Sequence, residues 1–109
     1  MDETKLEQAC FEIISYSGEA KSLFLSAIDF AMDFDFETAK NKIKEGKSFL
    51  QKTHKAHADM LTADINGELK KMPLILVHAE DQFMGCEQSL VLAEKIIKMM
   101  QKFETQFKK

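Results

Sequence analysis

His78 is the residue of this chain with the most chemistry to offer. It stands in Leu74-Ile75-Leu76-Val77-His78-Ala79-Glu80-Asp81, with apolar residues before it and two carboxylates after it. A neutral imidazole is a nucleophile, and once protonated it is a good leaving group, so it can accept a phosphoryl group and pass it on. Asp81 lies three residues further on. At helical spacing the two side chains project from neighbouring positions on one face. Pro73 marks the first turn of a helix just ahead. A helix start supplies free N–H donors and the positive end of the dipole, both favourable to a phosphoryl group. Residue type alone leaves two roles open to His78, nucleophile and structural side chain.

The other candidates are weaker. His54 and His57 are spaced i, i+3, which can hold a metal, but no third ligand is evident and the HExxH order is absent. The lysines Lys40, Lys42, Lys44, Lys47, Lys52 and Lys55 read as a solvated helix face. There is no glycine-rich phosphate loop, no Ser-His-Asp order and no basic-aromatic stripe. The two cysteines, Cys10 and Cys86, form no C-x-x-C pair and read as reduced, buried thiols of a cytoplasmic protein.

These residues need elements to position them. The 109 residues amount to a single domain, residues 1–109. Four glycines and one proline are too few for an all-β fold. A net charge of -3 disfavours nucleic acid. No apolar run approaches the roughly 20 residues of a membrane span, and the polar start is no signal peptide. Apolar residues recur at helical spacing in three segments. The first runs from about Thr4 to Asp33 through Leu6, Cys10, Ile13, Phe24 and Ala31. Gly18 inside it suggests a close approach to the backbone. Asp35 N-caps the second, which runs to about Ile65, and Phe34 could staple weakly onto Ala39. Asn66-Gly67 ends it. The third runs from about Pro73 to Phe103 or beyond. A buried strand over LILV is rejected because it has no partner. The expected fold is all-α, an antiparallel up-down-up three-helix bundle about 45 Å long at 1.5 Å per residue.

The third helix is too apolar for one chain. Leu76, Ala79, Phe83, Cys86, Leu90, Ala93, Ile97 and Met100 form one seam. Val77, Asp81, Met84, Gln88 and Val91 form a second, about 100° away, and Leu92, Ile96, Met99 and Phe103 a third. The surplus predicts packing against other copies, with Asp81 and Gln88 facing the symmetry axis.

The string LILVHAEDQFM, Leu74 to Met84, resembles the active-site segment of the lactose/cellobiose-type IIA components of the bacterial phosphotransferase system, which carry LLVHAQDHLM-like strings. Phe11 to Ile14 followed by Gly18-Glu19-Ala20-Lys21-Ser22 is similar to the family's opening. Asp35 to Ala39 resembles its GDFEKA turn. Glu45-Gly46 and Thr53-His54 to Leu61 match its second helix, and the resemblance covers about Leu6 to Phe103. It implies a protomer that trimerises into a nine-helix bundle. It implies that His78 accepts a phosphoryl group from phospho-HPr and passes it to a cysteine of the IIB component. The IIC permease then uses it on an incoming sugar such as cellobiose or lactose. It implies that Asp81 points to the trimer axis, where three copies hold a divalent cation, Mg2+ being the expected one. His54, Glu80 and Gln82 would support the site. The family usually has Gln where this chain has Glu80 and His where it has Gln82. Glu80 therefore adds negative charge near a histidine that receives a dianionic group. A lysine of another helix or subunit would offset it, or Glu80 would hold the imidazole tautomer. The alternative is a regulatory module read through phosphorylation of His78 on the same trimeric fold.

Overall fold

The structure, a computed structural model, describes residues 1–107. Its elements are α1 (Glu3–Met32), α2 (Phe36–Ile65) and α3 (Leu74–Phe107), and no strand occurs among the described residues. The expected antiparallel three-helix bundle is the fold. The bundle measures 61 × 19 × 17 Å. α3 continues to Phe107, and its 34 residues span about 51 Å of that length. No helix among the described residues is long and apolar enough to cross a membrane.

Local chemistry sets the boundaries. The Asp2 carboxylate accepts from the Lys5 N–H at 2.8 Å and opens α1. Asp35 accepts from the Thr38 N–H at 3.2 Å and opens α2, as its sequence position predicts. Pro73 differs from expectation: it stands just before α3 rather than in its first turn. Its carbonyl accepts from the N–H groups of Leu76 and Val77 at 3.0 and 3.4 Å, so it caps the helix. A proline fits either place because it has no N–H to lose.

α1 and α2 end in the same motif. After α2, Gly67 takes φ +72°. Its N–H reaches the Asp64 carbonyl, and that of Glu68 reaches Ala63, both at 2.9 Å. After α1, the left-handed position belongs to Phe34, at φ 62°. Its N–H reaches Ala31 at 3.0 Å, and that of Asp35 reaches Phe30 at 2.9 Å. The expected staple onto Ala39 is not what the ring does; it meets Phe36 edge-on, centroids 6.3 Å apart.

α1 packs along both α2 and α3, whereas α2 and α3 meet backbone to backbone over a short stretch only. The core is the expected set, with Cys10, Ile13, Phe24, Ala79 and Cys86 among its closed members. Ser17 and Thr53 are buried with it; Thr53 bonds the Phe49 carbonyl at 3.1 Å, while the Ser17 hydroxyl has no partner. The close backbone approach lies at Gly46, not at Gly18. A Cβ on Gly46 would stand 2.5 Å from the Phe24 ring, whereas one on Gly18 would meet nothing within 4 Å.

Two substitutions should move stability in opposite directions. Gly46→Ala is expected to cost about 1–2 kcal/mol, overpacking against a buried ring outweighing the better helix propensity. Phe34→Gly is expected to gain about 0.5 kcal/mol, the relief of a left-handed side chain less glycine's entropy. Urea denaturation measures both, and a loss on Phe34→Gly would contradict the account of this turn.

Candidate functional site

α3 presents His78 as its fifth residue, with an exposed side chain. The residues around it are anchored: Leu76 and Ala79 are buried in the core on the opposite side. Pro73 engages the N–H groups of Leu76 and Val77, which leaves those of Leu74 and Ile75 ahead of the helical ladder. An exposed imidazole on a fixed backbone, one turn from the positive end of a helix, can meet a phosphoryl donor without rearrangement of the bundle.

Asp81 is exposed too. It lies among Val77, Met84 and Val91, which are 48%, 52% and 53% exposed, as the sequence seams predict for a single chain. One chain supplies one carboxylate there. Among the described residues, no three His, Cys, Asp or Glu side chains come together in a way that could hold a metal. The pairing of His54 with His57 as metal ligands finds no third donor.

Glu80 does not share the exposed face of His78. Two helical steps turn it through about 200°, and it crosses to α2, where its Oε1 lies 2.6 Å from His57 Nε2. The contact is a close approach without aligned hydrogen-bond geometry, since the ring nitrogen has no hydrogen-bond partner. Within the chain the imidazole beside the Glu80 carboxylate is that of His57, and Lys70 and Lys71 line the same cleft as Glu80. His54 pairs with Glu87 at 3.2 Å, and Lys47 with Glu94 at 3.4 Å. Glu80, Glu87 and Glu94 repeat every seventh residue, so one face of α3 meets α2 through three cross-helix pairs. Phe83 lies between the two histidine rings, with centroids 5.1 Å from His54 and 4.5 Å from His57. Gln82 is half-buried on α3. The structure thus brings Glu80 to His57 and His54 to Glu87.

Near the start of α3 a cleft of about 570 Å³ opens beside Leu61, Met72 and Val77, with Lys70, Lys71 and Glu80 also lining it. The Met1 ammonium pairs with Glu68 and ties the loop before α3 to the start of α1. Glu68's carboxyl is held below its ordinary value, mainly by that hydrogen bond and charge. Both cysteines are buried. Burial, then the charge of Glu87, pushes the Cys86 thiol up to about 11, which makes it a poor nucleophile.

The sequence reading missed the cross-helix role of His57 and a stripe on α1. Phe11, Leu25 and Met32 are exposed on it, in register with Gly18 at intervals of seven. The seven-residue interval was the readable signal for the stripe.

The sequence profile described as PTS system, lactose/cellobiose specific IIA subunit, matches residues 8–101. The lichenan-specific phosphotransferase enzyme IIA component of Bacillus subtilis strain 168 is 30% identical over 102 residues, 94% of this chain and 93% of that protein. The N,N'-diacetylchitobiose-specific EIIA component of the PTS of Escherichia coli K12 is 28% identical over 100 residues, 92% of this chain and 86% of that one. The crystal structure of the PTS cellobiose-specific enzyme IIA from Bacillus anthracis superposes with a TM-score of 0.90 at 27% identity, covering 96% of this chain and 95% of the other.

Proposed function

The chain belongs to the lactose/cellobiose-specific IIA family of the phosphotransferase system, and on that ground we propose that it is a phosphocarrier of sugar uptake, with His78 as its nucleophile. The observation that carries the reading is the exposed His78 side chain on an anchored turn, inside the matched region. In the accepting step a lone pair of the His78 imidazole attacks phosphorus. The bond from phosphorus to its donor, phospho-HPr, breaks, and its electron pair leaves with the donor. In the passing step the thiolate of a IIB cysteine attacks, the N–P bond breaks, and the imidazole takes back its electron pair. Position and electrostatics are what the protein supplies. The IIC permease consumes the group on a β-glucoside or disaccharide such as cellobiose or lactose. The relatives' names span lichenan, lactose and N,N'-diacetylchitobiose, so the family resemblance supports the class of sugar. The working place of such a carrier is the cytoplasm.

The exposed seam of α3 supports a homotrimer. Val77, Met84 and Val91 leave apolar surface open on one side of a single chain, and a symmetric assembly of three α3 helices would close it. Asp81 and Gln88 would then face the axis. Three carboxylates there would repel, and oxygen donors of this kind suit a hard divalent cation such as Mg2+, whose part would be to neutralise them.

Intact mass after incubation with phosphoenolpyruvate, enzyme I and HPr tests the carrier. An acid-labile gain of one phosphoryl group is expected, and its absence from His78→Ala; an unmodified wild-type chain would refute the reading. Sedimentation tests the assembly. Met84→Glu is expected to convert the trimer to monomer, and a wild-type chain that sediments as a monomer would dismiss it.

A further inference from the structure

The three pairs across the α2–α3 seam are not equivalent. Lys47–Glu94 and His54–Glu87 are each about half exposed on both partners. His57–Glu80 is the shortest, and its histidine side chain is only 17% exposed. Phe83 packs edge-on against the His57 ring. Glu80 is directed inward enough for its charge to push the buried Cys10 thiol up, after burial itself. The pair also lies nearest to His78, since Glu80 is the next residue but one. Because α2 and α3 touch little through their backbones, the direction of the Glu80 carboxylate depends on what meets it from α2.

We infer that His57 is a positioning residue for chemistry at His78: it holds the Glu80 carboxylate on the α2 side of α3, away from a dianionic group on His78. The inference rests on the phosphocarrier reading. Without His57, Glu80 loses its contact with α2, and its long side chain is free to bring negative charge closer to His78. Like charge disfavours the incoming phosphoryl group and is only partly screened over one helix diameter.

The test is the rate of phosphoryl transfer from phospho-HPr to the full chain, for wild type, His57→Ala, Glu80→Gln and the double variant, with thermal denaturation of each. His57→Ala is expected to lower the maximal rate about fivefold, the scale of one partly screened unit charge at this distance, with KM for phospho-HPr unchanged. Adding Glu80→Gln is expected to restore the rate to within about twofold of Glu80→Gln alone, because the carboxylate to be held away is gone. A role in packing alone would leave the double variant as slow as His57→Ala. If His57→Ala does not fold, His57→Leu fills the site without a polar atom to hold the carboxylate and should slow transfer in the same direction. A wild-type rate in the His57 variant, or no rescue by Glu80→Gln, overturns the inference. A wild-type chain that takes up no phosphoryl group overturns the phosphocarrier reading and this inference with it.

Discussion

The packing of α1 between α2 and α3 is the contact on which the molecule depends. Small residues make it close. Ala20, Ala27 and Ala31 of α1 are closed to solvent, as are Ala39 of α2 and Ala79 and Ala93 of α3. Phe24 lies against Gly46 at a distance no side chain there would allow. α1 therefore packs along two neighbours whose own backbones come close over a short stretch only. Between α2 and α3 lie Phe83 and charged side chains. Each exposed pair contributes little to stability. Their effect is on direction: a glutamate engaged by α2 is not available to the other faces of α3.

Helical period then separates groups that stand together in sequence. His78 and Asp81 are one turn apart and both exposed, while Glu80 between them crosses to His57. A sequence read in order sees two carboxylates close behind one histidine. In the structure the histidine has an open side, the aspartate lies on the apolar seam, and the glutamate belongs to the contact with α2. The same rotation puts Leu76 and Ala79 in the core. Anchoring and exposure of His78 thus follow from one helix rather than from a loop held by contacts of its own.

Much of this was legible in the residues. Spacing alone placed the three helices, the Asp35 cap, the turn at Asn66-Gly67 and the surplus surface of α3, because each depends on local chemistry or on a period. What escaped were partnerships between distant positions. The i, i+3 spacing of His54 and His57, set aside as a metal pair, gave no sign that each ring faces a different glutamate of α3. Gly18 suggested a close approach that occurs at Gly46, since a glycine's neighbours come from another helix. Phe34 in a left-handed turn was hidden because a phenylalanine rarely takes that backbone. His78 itself was ambiguous by residue type, and only the longer string around it, through its resemblance to a family, gave it a role.

A carrier has different needs from an enzyme that holds a small substrate. The phosphoryl group passes between nucleophiles of different proteins, so the accepting imidazole must be exposed on a surface that partners can reach. The family resemblance puts Gln and His where this chain has Glu80 and Gln82, so this chain places one more carboxylate close to His78. Glu80 is the stricter case, because its charge must go somewhere. His57 Nε2 meets it from α2 at 2.6 Å. On the proposed reading residues 57 of α2 and 80 of α3 act together, although 23 positions separate them. A carboxylate two residues from the proposed acceptor does least harm where a neighbouring helix holds it on the far side.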